Sequence, residues 1–191
     1  EVKILILVDS FIGGAGHIAQ ILARHFKEID YEVYLLLSSF NSLPRYEMTG
    51  IQIVNAETNY SRFQYLSKIR HTRSLISLIK PNIIISFLFS NCVNVIISQW
   101  FTSVPIIVCE RSNPYIDPSL YRRKVLRKLL YRRANIIIIQ FDYFKYFDKA
   151  ALRKGKILVI PNMILLPNHK KDYINQGPDA LIQFVSLCGL R

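Results

Sequence analysis

Three of the seven glycines in this 191-residue chain lie within four positions, directly after a short apolar run. The run reads VKILILV, and the residues that follow it read DSFIGGAGH, which places glycine at Gly13, Gly14 and Gly16. Glycine lets a backbone approach a ligand closely, and a helix that begins at such a turn presents N–H groups to an anion. The spacing is neither G-x-G-x-x-G nor a Walker A sequence. The turn is a candidate phosphate site, and a tight turn that serves helix–sheet packing is the alternative.

A second polar group, ERSNPY, follows the apolar run VPIIVC and contains Glu110, Arg111 and Asn113. A carboxylate and a guanidinium at the carboxyl end of a strand suit the recognition of a polar ligand. A structural ion pair between Glu110 and Arg111 is the alternative.

The positive charge is concentrated in two segments, 62–80 and 111–133, which together account for the net charge of +12. On a helical wheel, basic residues of each segment share one side, with apolar residues such as Val125, Leu126, Leu129 and Leu130 opposite. Such helices lie on anionic membranes, although a solvated face on a core helix is the alternative. The basic residues assigned to this surface are Arg62, Arg70, Arg73, Arg123, Lys124, Arg127 and Lys128.

Composition excludes several other classes of protein. Apolar residues make up 51% of the chain and charged residues 20%, which excludes a disordered protein. The three cysteines are far apart and have no metal-ligand spacing, so we expect free thiols, no disulfide and no metal. The scattered histidines, without G-x-S-x-G or H-E-x-x-H, do not indicate a hydrolase.

The uncharged stretch 81–109 contains too many amides and hydroxyls for a membrane span, and we expect a buried strand–helix–strand unit there.

The elements that must position these residues alternate between short apolar runs and longer amphipathic ones, which predicts an α/β fold. A Rossmann-like parallel sheet with helices on both faces follows, with ligands at the carboxyl ends of the strands. The predicted strands are 2–8, 32–37, 51–54, 82–87, 104–109, 135–140 and 156–160. The predicted helices are 15–29, 61–80, 92–101, 118–134 and 142–152.

The composition of the chain changes near its end, where a polar segment is followed by an apolar one. The polar segment NHKKDYINQGP is typical of a linker, and ALIQFVSLC then resembles the opening strand of a new unit. We therefore expect one lobe over 1–166, a linker over 167–179, and the start of a truncated second lobe over 180–191.

Five segments resemble, in order, the N-terminal lobe of the retaining bacterial glycosyltransferases of family 4, which have the GT-B fold. They are KILILVDSFIGGAGHIAQILARHF, PNIIISFLFSNCVNVIIS, VPIIVCERSNPY, LLYRRANIIIIQ and ILVIPNMI. The second and third resemble a branch that acts on polyprenyl-diphosphate-linked sugars. FVSLCGLR resembles the start of that family's second lobe.

The resemblance implies an acceptor-side lobe that works on a nucleotide-sugar donor without a metal or other cofactor. Gly13, Gly14 and Gly16 would contact the donor phosphate, and Arg111 with Glu110 would be catalytic. His17, Ser86, Asn91 and Asn113 would bind the acceptor, and Pro161 with Asn162 would form the interlobe hinge. The acceptor would be a polyprenyl-diphosphate-linked sugar or a polysaccharide used in cell-surface glycan synthesis. The basic helices would hold the protein on the inner, cytoplasmic face of an anionic cell membrane.

Two departures from the family matter. The family commonly has G-G-A-E-R where this chain has Gly14-Ala15-Gly16-His17, and by the resemblance the donor-contacting residues of the second lobe would lie beyond Arg191. We therefore expect a hexosyltransferase whose first lobe alone is inactive. A non-catalytic membrane-docking half that works with a separate donor lobe is one alternative. A basic nucleic-acid-binding Rossmann module is the other, but no RNA-binding signature accompanies the basic residues, so we expect no nucleic-acid partner.

Overall fold

The structure is a computed structural model and describes residues 1–38, 43–55, 64–111, 120–141 and 157–161. Its strands are β1 (Lys3–Val8), β2 (Glu32–Leu37), β3 (Gln52–Asn55), β4 (Ile83–Phe87), β5 (Ile106–Glu110), β6 (Ile136–Ile139) and β7 (Ile157–Val159). Its helices are α1 (Gly13–Glu28), α2 (Gln64–Ile79), α3 (Phe89–Ser98) and α4 (Leu120–Leu130), and a 3₁₀ turn, Tyr131–Arg133, follows α4.

All seven strands are parallel and form one sheet in the order β3-β2-β1-β4-β5-β6-β7. The strand order reverses direction between β1 and β4, and in open α/β sheets ligands bind at this point, beyond the carboxyl ends of the strands. The predicted Rossmann-like fold is thus confirmed.

Alternate residues of each central strand pack on opposite faces of the sheet, so both faces are buried. In β1, Leu5 and Leu7 belong to the core beneath α2, α3 and α4, while Ile4, Ile6 and Val8 belong to the core beneath α1. This two-sided burial explains why the strands read as nearly continuous apolar runs.

The uncharged stretch 81–109 forms β4, α3 and β5, as expected from its amides and hydroxyls. Helix α3 lies between α2 and α4, and its Asn91, Asn94 and Ser98 side chains are buried and hydrogen-bonded. Within the described part of the chain, no helix has the length and apolar character needed to cross a bilayer.

Most predicted boundaries lie within three residues of the observed ones. Helix α3 begins at Phe89 and not at the predicted Cys92, because Leu88 takes a positive φ of 69° and turns the chain straight from β4 into the helix. The predicted helix 142–152 and the segments 167–179 and 180–191 lie outside the described residues, as does the start of the predicted helix at residue 61.

Candidate binding site at the carboxyl edge of the sheet

The glycine turn connects β1 to α1 and is exposed at its start. Gly13 has a φ of +80°, a conformation that suits glycine, and a Cβ added at Gly13 or Gly14 would meet nothing within 4 Å. Among the described residues, no side chain caps this helix end at Ile12, and no acidic residue lies in the first turn. The first N–H groups of α1 are therefore placed to face an anion.

Gly16 has a different role from its two neighbours. It is buried, and an added Cβ would lie 2.2 Å from the carbonyl oxygen of Ser10 and 2.6 Å from the carbonyl carbon of Phe11. Gly16 therefore serves close packing of the helix on the turn, and its contact with a donor phosphate stays a prediction. The packing alternative thus applies at Gly16, while a phosphate contact at Gly13 and Gly14 stays a prediction.

Arg111 follows β5 at the same edge of the sheet and is half-buried. Its guanidinium carbon lies 5.4 Å from the centre of the Phe87 ring. Burial lowers the pKa of Arg111, while the neighbouring Cys109 raises it. Because β4 alone separates β1 from β5, the residues that follow these two strands are about 10 Å apart across the edge.

Glu110 is enclosed at the end of β5. It is 2% exposed, and its Oε2 accepts hydrogen bonds from Nε of Arg127 and from the hydroxyl of Tyr131, both at 2.9 Å. The predicted catalytic role of Glu110 is therefore wrong in this geometry, because a side chain so enclosed cannot touch a substrate. The structural ion pair considered as the alternative exists, but with Arg127 of α4.

Arg127 was assigned to the basic surface, and that assignment is also wrong. It is 2% exposed, pairs with Glu110, and places its guanidinium carbon 4.6 Å from the Phe89 ring centre. Helix α4 consequently turns Leu130 inward, while Leu126 and Leu129 stay 40% and 57% exposed. The helical wheel had placed these leucines together on the buried side.

The remaining basic residues predicted on the surface have mixed positions. Arg70, Arg73, Lys124 and Lys128 are exposed, while Arg123 is half-buried and lies over the Phe89 ring at 5.4 Å. Arg62 lies outside the described residues.

The predicted acceptor residues have different environments. Ser86 is fully buried in β4, so a direct contact with an acceptor is wrong for it. His17 is half-buried, and its Nδ1 lies 3.2 Å from the hydroxyl of Tyr46 in the segment between β2 and β3. Asn113 lies outside the described residues. At the predicted hinge, exposed Pro161 follows β7, and Asn162 lies outside the described residues.

Asn91 belongs to a polar cluster that the sequence reasoning missed. Its Nδ2 donates to Oδ1 of Asp9 at 2.9 Å, and its Oδ1 accepts from Nζ of Lys68 at 3.4 Å. The Ser38 hydroxyl also donates to Oδ1 of Asp9, at 2.6 Å. Asp9 and Ser38 follow β1 and β2, and Asn91 lies in the first turn of α3, so the cluster sits where the strand order reverses. A polar residue directly after a buried strand, as at Asp9, was the available signal.

Comparison with known proteins finds similarity in three-dimensional structure. A scan against protein-family models finds no match, and a sequence search of curated proteins finds none either. The lipopolysaccharide outer core galactosyltransferase WaaB superposes with a TM-score of 0.67 at 11% identity, covering 90% of this chain and 50% of WaaB.

Two further solved structures give similar values. Anabaena Alr3699/HepE in complex with UDP has a TM-score of 0.62 at 16% identity, covering 85% of this chain and 44% of that protein. UDP-N-acetylglucosamine 2-epimerase from Rickettsia bellii has a TM-score of 0.58 at 13% identity, covering 82% and 43%. The chain thus spans half or less of the length of these proteins and has the fold of an N-terminal, Rossmann-like GT-B lobe.

Proposed function

We propose that this chain is the acceptor-side lobe of a retaining glycosyltransferase of the hexosyltransferase type. The complete enzyme would transfer a sugar from a nucleotide-sugar donor to a lipid-linked or polysaccharide acceptor in cell-surface glycan synthesis. The fold is one that WaaB and the UDP-bound HepE share, and the five sequence segments resemble family 4 in order.

The observation that carries the proposal is the pairing of two anion-binding features at one edge of the sheet. The exposed turn at Gly13 and Gly14 follows β1 and presents helix N–H groups, and the half-buried Arg111 follows β5, two strands along the same edge. Departure of a nucleoside diphosphate develops negative charge, and fixed donors and a cation stabilise it. A partly desolvated guanidinium is well suited to this, because its attraction to an anion is screened less than at a surface.

Arg111→Ala tests this assignment. In the complete enzyme, assayed with radiolabelled UDP-sugars and a membrane extract that contains lipid-linked acceptors, we expect kcat to fall by at least about 100-fold. Arg24→Ala is the matched control, because Arg24 is likewise half-buried over an aromatic ring, 5.4 Å from the Tyr46 ring centre, and lies about three turns along α1 from Gly13. Unchanged turnover in Arg111→Ala would remove Arg111 from the site.

The second support for the proposal is the face formed by α2, α3 and α4, whose charges favour binding to an anionic membrane. In the described ranges 64–111 and 120–141 the only acidic residue is Glu110, which is buried against Arg127. Within these two ranges, the exposed charges of the face are therefore all positive. They are Arg70, Arg73, Lys80, Arg122, Lys124, Lys128, Arg132 and Arg133.

Exposed apolar side chains are interleaved with these charges. Leu66, Leu78 and Phe101 are 62%, 79% and 81% exposed, and Leu126 and Leu129 of α4 add to them. Aromatic and aliphatic groups insert at the headgroup boundary, while Lys and Arg bind anionic lipids, each contributing about 1 kcal/mol. We therefore propose peripheral association with the cytoplasmic face of the cell membrane, where lipid-linked acceptors are presented.

Vesicle flotation tests the membrane proposal. With phosphatidylglycerol vesicles, Lys124→Glu/Lys128→Glu should weaken binding by at least about 30-fold. Arg24→Glu/Lys27→Glu makes the same change in net charge on α1, which packs on the opposite face of the sheet, and should retain wild-type flotation. Equal losses in both variants would mean that net charge alone, and not this face, attracts the vesicles.

The chain covers half or less of the solved structures it resembles, and we propose that a donor-binding lobe completes the enzyme. An in-frame continuation beyond codon 191 with an E-x7-E motif would give a two-lobe enzyme. A stop codon there would favour a docking half that works with a separate donor lobe, and transfer would then require co-expression of both chains.

A further inference from the structure

We propose that Asp9, Asn91 and Lys68 form a subsite for a glycosyl phosphate, in which Asp9 binds sugar hydroxyls and Lys68 binds the phosphate. This inference rests on the proposed function and names the acceptor chemistry at the first lobe. The three residues come from the end of β1, the first turn of α3 and the second turn of α2.

Asn91 holds the two charged groups in fixed relation. Its side chain is 1% exposed, and one end of its amide donates to Asp9 while the other accepts from Lys68. Because an amide has a fixed polarity, the carboxylate and the ammonium are kept on opposite sides of it. Asp9 and Lys68 are therefore linked through Asn91 and not by a direct ion pair, which would neutralise both charges.

Asp9 retains capacity for a ligand. The hydrogen bonds that it accepts from described residues, Ser38 and Asn91, both use Oδ1. An ionised carboxylate has about four lone-pair positions on two oxygens, so Oδ2 can accept hydrogen bonds from sugar hydroxyls. Asp9 is itself half-buried and reachable.

The ammonium group of Lys68 is placed to bind an anion. Lys68 is half-buried, and among the described residues its ammonium makes one long contact, 3.4 Å to the Asn91 amide oxygen. Burial lowers the pKa of Lys68, and the charge of Asp9 opposes that shift. A bound phosphate would satisfy a cation whose hydration has already been reduced.

The pairing of opposite charges selects the class of ligand. A bare polyphosphate would be repelled by Asp9, and a neutral sugar would leave Lys68 unused. A sugar that carries a phosphate uses both, and a polyprenyl-diphosphate-linked sugar has this combination at its head. The subsite also begins four residues before Gly13, so its ligand would lie beside the turn proposed for the donor.

Ligand titration followed by NMR tests the subsite. The ¹⁵N-labelled 191-residue chain is titrated with glucose 1-phosphate and separately with inorganic pyrophosphate, and the Asn91 side-chain NH₂ resonance is followed. Glucose 1-phosphate should shift this resonance, and Lys68→Met should weaken its binding by about tenfold or more. Lys80→Met, at the end of the same helix, is the matched control and should bind as wild type.

Asp9→Asn separates a binding role from a structural one. Asn at position 9 can still accept from Ser38 and Asn91, so the local fold is retained. It should weaken glucose 1-phosphate binding about tenfold without weakening pyrophosphate binding. Equal loss for both probes, unchanged affinity in both variants, or no shift of the Asn91 resonance in the wild type would overturn the subsite.

The proposed function is judged by a different measurement. Transfer that depends on Arg111 in the complete enzyme, together with an unresponsive Asn91 resonance, would reject the subsite and keep the glycosyltransferase. Glucose 1-phosphate binding that depends on Lys68, without transfer from any nucleotide sugar by the complete enzyme, would keep the subsite and reject the glycosyltransferase.

Discussion

Replacing Arg127 by Met removes the cation from a buried ion pair and leaves the Glu110 carboxylate enclosed. The two side chains are only 2% and 1% exposed, so water cannot replace the lost partner. Breaking such a pair from one side costs about 3–5 kcal/mol of unfolding free energy. The Met side chain keeps most of the apolar stem, so little of this loss comes from packing. For a domain of this size, that corresponds to a fall in Tm of roughly 6–20 °C.

Urea unfolding followed by circular dichroism, with a calorimetric scan, measures this loss. Lys128→Met is the matched control, because Lys128 is the next residue along α4 and is exposed; its effect should stay within about 0.5 kcal/mol. Glu110→Gln/Arg127→Met should recover part of the loss, since a neutral amide is less costly to bury than an unpaired carboxylate.

A double-mutant cycle of Glu110→Gln and Arg127→Met measures how far the two groups stabilise each other. Additive effects of Glu110→Gln and Arg127→Met would show that the two groups do not stabilise each other. An Arg127→Met protein as stable as Lys128→Met would refute the assignment of Arg127 to the interior and restore it to the basic surface.

Two further predictions concern packing and thiol chemistry. Gly16→Ala should lower the unfolding free energy by about 1–3 kcal/mol or more, because its Cβ would meet backbone atoms of Ser10 and Phe11, while Gly14→Ala should be tolerated in open space. Equal thermal stability of the two variants would contradict this account of the turn. Burial raises the pKa of Cys109 to about 12 and that of Cys92 well above its ordinary value, so at pH 8 both remain thiols. Peptide mapping after brief iodoacetamide treatment should find both unmodified in the folded protein and labelled in urea; rapid labelling of either without urea would contradict this.

The strands were the most predictable part of this protein. β2 begins and ends at the predicted residues, because a parallel strand buried on both faces reads as an uninterrupted apolar run. Helix starts were less predictable. α1 begins at Gly13, two residues before the prediction, since a glycine pair offers no apolar periodicity to mark it.

The site was predictable only in outline. The edge of the sheet that carries Gly13, Gly14 and Arg111 follows from strand order, but long-range partners do not. Arg127 looked like a surface charge because hydropathy ranks every arginine as polar, and the approach of Glu110, 17 residues earlier, is a tertiary contact. Lys68 was missed for the same reason, since its link to Asn91 joins two helices.

The buried amide of Gln20 has a consequence for the dynamics of the glycine turn. Its Nε2 donates to the carbonyl oxygens of Phe11 and Gly16, at 3.3 and 3.1 Å, while its Oε1 accepts from the backbone N–H of Arg45 at 2.7 Å. Arg45 lies in an exposed segment, yet its amide proton should exchange with deuterium slowly, because release requires the same opening event that frees the turn. Deuterium exchange at the Arg45 amide would thus report on motion of the turn, although Arg45 lies 29 residues after Gly16.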